Sequence, residues 1–401
     1  MAIRSILKRA VQGERLVVRA DLNAPMKDGV VTDTTRIDRF AAGLKPLVEA
    51  GARVVVISHF GRPKGKRVPE MSLRPIAPVL AAALGRDVDF VDDCIGAEAV
   101  TAAKALKDSE VLLCENLRFH AAETKNDADF AEQLADLGQI YVNDAFSSAH
   151  RAHASTVGIT EFLPSFAGAL MGEETDALMA ALEAPERPSV AIVGGAKVSS
   201  KISVLENLVK KLDAVIIGGG MANTFLAARG LPVGKSLFEM DLLDVAKRIE
   251  AEALAAGCNV VLPVDLVVAR EFAEDAENQI VAQDACPEDA MILDAGPKSI
   301  LAFSEVLDGA KTILWNGPLG AFETRPFDRA TVETARIAAS LTKGGKVTSV
   351  AGGGDTVAAL KLAGVERDFS YISSAGGAFL EWLEGKELPG IAALDRAWDS
   401  N

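Results

Sequence analysis

Long hydrophobic runs are missing from this sequence of 401 residues. No apolar stretch approaches the roughly 20 residues that a helix needs to cross a bilayer, which excludes membrane insertion. The N-terminus, MAIRSILKRAVQGERL, lacks the apolar core of a secretory signal and runs straight into a strand-like segment, so a cytoplasmic protein is expected. Cysteine and histidine are scarce, with four of each. Cys94, Cys114, Cys258 and Cys286 lie far apart without a CxxC pair, a pattern that indicates neither a zinc site nor a disulfide framework and reads as buried thiols. An excess of basic residues is also absent. The net charge of −14 argues against a nucleic-acid partner, whose phosphates would be repelled. Two familiar nucleotide motifs are lacking as well: the diglycine at Gly194 fits neither GxxxxGK[ST] nor GxGxxG, and no GxGxxG follows a strand with an acidic residue about 20 positions on. A nicotinamide-dependent dehydrogenase is thereby disfavoured.

What is present is a composition 49% hydrophobic and 24% charged, that of a globular protein, on a chain long enough for two domains of roughly 150 to 200 residues. Apolar, β-branched runs at Leu16 to Val18, Val54 to Ile57, Val88 to Val91, Val111 to Leu113 and Ile140 to Val142 alternate with helix-length segments. The same grammar returns at Val190 to Val193, Val215 to Ile217, Val260 to Leu262, Met291 to Leu293, Thr312 to Trp315 and Val347 to Val350. One crossover helix is expected from Asp33 as N-cap, with Ile37, Phe40, Leu44, Leu47 and Val48 on one face and a kink at Pro46. Gly168 to Leu182 reads as a helix that ends in the proline-rich break APERP, a suitable boundary between halves. The fold expected is α/β, two doubly wound parallel-sheet domains joined by a helix.

In open parallel sheets ligands bind beyond the carboxyl ends of the strands, so the turns there carry the chemistry. In the first half they hold RADLNAP (Asp21, Asn23), SHFGRP (His59, Arg62), ENLRFH (Arg118) and NDAFSSAHRAHAST (His150, Arg151, His153), with Arg36 in the first turn of the crossover helix. Each arginine alone is an ordinary surface charge. Repetition across four loops at one sheet edge is not, and guanidinium forks favour a small polyanion. That half stands at −1 against −13 for the other, which makes it the better host for an anion. In the second half, SVAIVGGAKVSSKISVLENLVKKL reads as strand, turn and helix, placing Lys197 and Lys201 four apart on one helical face beside free backbone N–H groups. GGGDT supplies another glycine turn at a helix start, with Asp355 to hold Mg²⁺ and Thr356 to donate to a phosphate oxygen, while Glu323 could take ribose hydroxyls.

Taken together, RADLNAP, SHFGRP, ENLRFH, NDAFSSAHRAHAST, GGAKVSSKI, GGGMANTF, WNGPLGAFE, AGGGDT and SSAGGAFLEWLEGKELPG resemble the signatures of the phosphoglycerate kinases, in that family's order and over essentially the whole chain. The resemblance implies reversible phosphoryl transfer between 1,3-bisphosphoglycerate and ADP, giving 3-phosphoglycerate and ATP, in glycolysis or gluconeogenesis, with Mg²⁺ accompanying the nucleotide. It implies that Asp21, Asn23, Arg36, His59, Arg62, Arg118 and Arg151 bind the glycerate substrate. Lys201, Gly219, Asn316, Glu323, Gly353, Gly354, Asp355 and Thr356 would bind nucleotide, and Arg36, Lys197 and Gly353 would attend the transferring group. It further implies a monomer whose first domain is 1–170 with the returning tail 388–401, a linker helix at 171–183 and a nucleotide domain at 184–387, with ligand-driven domain closure during catalysis. Departures are mild: Ser200 stands where many members have Asp, and Ala20 and Leu22 replace more usual Val and Phe. The acceptor of such a reaction is a carboxylate, ionised at neutral pH, so positive charge rather than a general base is what the site must supply.

Overall fold

The computed structural model describes residues 3–399. Contacts divide the chain into two compact units, Met1–Thr175 with Glu387–Asn401, and Asp176–Lys386. The division falls within the helix Ala169–Leu178, which continues as a π-helix over Met179–Glu183.

The first unit is built on an all-parallel six-stranded sheet. Its strands are β1 (Arg15–Ala20), β2 (Arg53–Ser58), β3 (Asp89–Val91), β4 (Val111–Cys114), β5 (Ile140–Asn143) and β6 (Ser165–Ala167), in the spatial order β3-β4-β2-β1-β5-β6. Strand β2 is RVVVIS, in which Val54 to Ile57 are wholly buried, as befits a central strand covered on both faces. The chain leaves β1 toward one side of the sheet and returns to β5 on the other, so a crevice opens at the carboxyl ends of β1 and β5. Helix α1 (Thr35–Glu49) lays Ile37, Phe40, Leu44, Leu47 and Val48 into the core, each large apolar side chain contributing about 1.5–3 kcal/mol by burial. Its regular turns begin at Thr35, with Thr34 rather than Asp33 at the N-cap position, and Asp33 accepts the Thr35 N–H at 2.9 Å. The helix runs on past Pro46 to Glu49. Residues after Glu387 return to this unit, where Leu388, Ile391 and Leu394 are buried and Gly390 N donates to the Ala149 carbonyl at 2.8 Å.

The second unit has its own parallel sheet, of β7 (Ser189–Val193), β8 (Ala214–Ile217), β9 (Asn259–Val261), β13 (Thr312–Asn316), β14 (Thr348–Gly352) and β15 (Tyr371–Ser373), ordered β9-β8-β7-β13-β14-β15. Between β9 and β13 lies a separate antiparallel sheet of β10 (Asp265–Ala269), β11 (Asn278–Ala282) and β12 (Met291–Ala295), with β10 in the middle. Met291 to Leu293 therefore does not continue the parallel alternation that its sequence suggests. Only Leu262 to Val264 separate β9 from β10, far too few residues for a parallel crossover, so the chain starts a new sheet. The switch point of the parallel sheet is between β7 and β13, and both strands end in glycine turns. Among the described residues, no helix is long and apolar enough to cross a membrane.

Candidate active site

Beyond the carboxyl ends of β2, β4 and β5 the first unit carries a pocket of about 530 Å³ lined by Arg62, Lys64, Arg118, Lys125, Arg151 and His153, and by no carboxylate. Arg118 is buried and donates to the Gly61 carbonyl at 2.8 Å. Burial first, then the neighbouring guanidinium groups of Arg19 and Arg151, push it down to about 10, so it stays cationic at neutral pH. Asn23 accepts the Gly61 N–H at 3.0 Å, and Asn116 accepts that of Phe60 at 3.1 Å, which fixes the SHFGRP turn. Asp21 forms a second focus at the crevice between β1 and β5. Its Oδ2 accepts from Arg36 Nη1 and from Ser147 Oγ, each at 2.6 Å. Asp21, Asn23, Arg36 and His59 are thus near strand ends but do not line the pocket, whereas Arg62, Arg118 and Arg151 do.

Beneath these groups lies a residue that no motif or periodicity singles out. Arg19, wholly buried in β1, donates to Ser155 Oγ at 3.0 Å, to the Ala20 carbonyl and to His59 Nδ1 at 2.9 Å. Ser155 Oγ donates onward to Glu123 at 2.6 Å, so the compensating carboxylate, itself wholly buried, stands one hydroxyl away. Because guanidinium only donates, His59 Nδ1 is the acceptor and its proton sits on Nε2. Burial and then Arg19 hold the His59 imidazole well below its ordinary range. His153 is likewise lowered, to about 4, by burial and then by Arg118 and Arg19. Glu123 lies 3.7 Å from His153 Nδ1 and would act in the opposite sense, but burial and three arginines outweigh it. Both imidazoles are neutral at pH 7 and cannot be counted as charges on a ligand. Arg19 sits in the RADLNAP run, two residues before Asp21, but a charge in a strand core gives no periodic signal.

In the second unit a cavity of about 470 Å³ has Leu237, Leu293 and Leu319 among its apolar walls, Gly195, Gly219 and Gly220 along one side, and Glu323 and Asp355 on its lining. The glycines are required there: a side-chain carbon at Gly219, whose φ is +64°, would meet the Gly195 carbonyl oxygen at 2.7 Å. Lys197 and Lys201 do not share a helical face. Val198–Ser200 is a 3₁₀ turn and the α-helix begins only at Ile202, so both lysines precede it with non-helical dihedrals. Lys197 is exposed. Lys201 folds back over the switch point, donating to the Gly194 carbonyl at 2.6 Å and to that of Asn316 at 3.0 Å. Burial lowers it to about 8, partly offset by Asp355.

The GGGDT turn opens the helix Gly354–Ala363, with Gly353 at the N-cap position and no side-chain cap, so the first backbone N–H groups remain available to an anion. Gly353 has φ +98°, and a side chain there would lie 2.8 Å from Asn316 Nδ2. Asn316 donates to the Gly352 carbonyl at 2.8 Å and is itself buried. Thr356 is also buried. Its hydroxyl donates to the Gly352 carbonyl at 2.8 Å and accepts the Gly317 N–H at 2.7 Å, so it locks two turns together and has no proton left for a phosphate oxygen. Asp355, by contrast, is exposed beside Gly354, and a single free carboxylate suits a Mg²⁺ ion whose other ligands are phosphate oxygens and water.

Two pockets of this character, one cationic and one glycine-floored, fit the sequence motifs to one enzyme family, and the comparisons decide it. Residues 6–386 match the family model for phosphoglycerate kinase. The chain belongs to the phosphoglycerate kinase family. It is 60% identical to the phosphoglycerate kinase of Methylobacterium radiotolerans over 96% of both chains. It is 58% identical to that of Granulibacter bethesdensis over 98% of this chain and 100% of the relative. The structure of phosphoglycerate kinase from Coxiella burnetii superposes with a TM-score of 0.93 at 41% identity, covering 98% of this chain and 99% of that one. The enzyme from Pyrococcus horikoshii OT3 superposes with a TM-score of 0.80 at 31% identity over the full length of both. The chain is accordingly a phosphoglycerate kinase by activity, a phosphotransferase acting on a carboxyl group.

Proposed function

We propose that the two pockets divide the substrates of the phosphoglycerate kinase reaction between the units, the first holding 3-phosphoglycerate or 1,3-bisphosphoglycerate and the second ADP or ATP with Mg²⁺. The observation that carries this reading is the contrast in lining: six residues with basic or imidazole side chains among the nine around one pocket, against apolar walls and glycines around the other. Arg62, Arg118 and Arg151 bind the phosphate of the glycerate substrate as guanidinium forks. Asp21 and Asn23 orient its hydroxyl and carboxylate end, and His59, neutral and pinned by Arg19, positions rather than neutralises. Arg36 is held by Asp21 until the transferring group offers more negative charge.

On the nucleotide side, Gly219 and Glu323 border the cavity that takes the base and ribose. Asn316, Gly353 and Gly354 set the turn whose N–H groups face the phosphates, Thr356 braces it, and Lys197 and Lys201 supply cations. Asp355 would hold Mg²⁺, which neutralises phosphate charge when it arrives with the nucleotide. No general base is needed, since the acceptor carboxylate is already ionised. Both pockets serve one transfer, so ligand-driven domain closure belongs to this proposal; small-angle scattering with both substrates, against each alone, tests it. A monomer located in the cytoplasm completes the reading. The assignment of the pockets is tested by titrating Arg62→Ala with each substrate. Weakened 3-phosphoglycerate binding with unchanged nucleotide binding supports it, and the reverse sinks it.

A further inference from the structure

Asp93 and Cys94 follow edge strand β3, and His120 follows the 3₁₀ turn after β4. Those strands are hydrogen-bonded neighbours, so residues well separated in sequence meet in space. Asp93 Oδ1 lies 2.7 Å from His120 Nε2 and also accepts the Cys94 N–H at 2.7 Å. One ligand atom from each of the three side chains lies within 4.8 Å of the other two. The His120 ring is backed by Phe130 at 5.2 Å between centroids. Cys94 is wholly buried, whereas the Asp93 and His120 side chains keep 35% and 28% exposure, so the cluster is closed by sulfur on one side and open to solvent on the other. None of the three lines the cationic pocket.

We propose that Asp93, Cys94 and His120 form a binding site for a thiophilic divalent transition metal, with Zn²⁺ the best-matched ion and water in the fourth position. One carboxylate, one thiolate and one imidazole are the donor types of zinc, and three protein ligands with an open position on the solvent side are a common arrangement for it. In a tetrahedral site the donor atoms stand roughly 3.5 Å apart. The Asp93–His120 pair, at 2.7 Å, therefore opens by a little under about 1 Å, and the sulfur, within 4.8 Å of both, closes by at most about 1.3 Å, within reach of two loops at a sheet edge. The ion takes the Nε2 lone pair of a neutral His120, whose ring proton then sits on Nδ1, and it displaces the Cys94 thiol proton, which passes to solvent. Mg²⁺ is excluded as the occupant by its demand for oxygen ligands, so the site is separate from the metal that travels with the nucleotide. The wide spacing of the cysteines hid it: the partner of Cys94 is a histidine brought in by the sheet.

The test is a Co²⁺ titration of the full-length, reduced protein after chelator treatment, read by the thiolate-to-cobalt charge-transfer absorption. One equivalent should develop the band, Zn²⁺ should bleach it, and Mg²⁺ in large excess should not. Cys94→Ser should abolish the band, His120→Ala should weaken Co²⁺ binding by more than about tenfold, and Cys258→Ser, a control in the other unit, should leave it intact. Circular dichroism confirms that each variant folds, and if Cys94→Ser does not, the partly exposed His120→Ala decides alone. No band, a band that survives in folded Cys94→Ser, or binding unchanged in His120→Ala overturns the site.

Discussion

The ammonium of Lys201 donates to the carbonyl oxygen of Gly194 at 2.6 Å, across the turn where β7 reaches the switch point of its sheet. A lysine spent on backbone and lowered to about 8 by burial is a weak anion binder until phosphate arrives and raises its proton affinity again. Nucleotide binding should therefore take up protons between about pH 8 and 9, and affinity should fall as pH rises through that window. Calorimetry in buffers of different ionisation enthalpy measures the uptake. Lys201→Met should bind more weakly at pH 7 and lose the pH dependence; retention of proton uptake in that variant would point to another group.

Arg36 pairs with Asp21 at 2.6 Å yet keeps 39% side-chain exposure, so it can be drawn to a stronger anion at little cost. Arg36→Ala should lower kcat by on the order of 100-fold while nucleotide affinity changes little, because its charge acts on the transferring group. Arg36→Lys should recover only part of that loss, since a point charge replaces a planar fork. Steady-state kinetics with both substrates varied settles it, and an unchanged kcat would refute the role.

His153 makes the first unit acid-sensitive. Its folded value of about 4 lies below that of an unfolded histidine near 6.5, so the unfolded chain binds the extra proton between those limits and stability falls as pH drops through the window. The loss is on the order of 3 kcal/mol by about pH 4. Urea unfolding across pH 4 to 7 should show a shallower slope in His153→Asn than in the wild type.

Asp355 is exposed in the first turn of the helix that the glycine turn opens. Asp355→Asn should remove most of the Mg²⁺-dependent gain in nucleotide affinity while leaving the melting temperature and 3-phosphoglycerate binding nearly unchanged. Equal loss of both affinities would argue against a metal role.

Much of this was legible in the sequence because it was repeated. Buried strands such as Val54 to Ile57 and Val190 to Val193 announced themselves by β-branched runs, and the glycine turns after them marked where ligands belong. The three-residue edge strands Ser165–Ala167 and Tyr371–Ser373 were too short for any period to show. The antiparallel sheet is not legible because Met291 to Leu293 looks like any buried strand, and only the brevity of the Leu262 to Val264 link before β10 shows that the chain has left the parallel sheet. Side-chain direction was least legible of all. Thr356 sits in a motif that invites a phosphate, yet its hydroxyl is satisfied by Gly352 and Gly317, and Lys201 turns back onto its own strand rather than projecting from a helix.

The returning segment after Glu387 gives the molecule an order of assembly. The second unit is cut from one uninterrupted length of chain, whereas the first needs residues from both ends of the sequence to cover β6. On the ribosome the first sheet emerges early but must wait for Asp176–Lys386 to be translated, about 10–40 s at roughly 5–20 residues per second. Throughout that wait the surface that later takes Leu388, Ile391 and Leu394 stands uncovered.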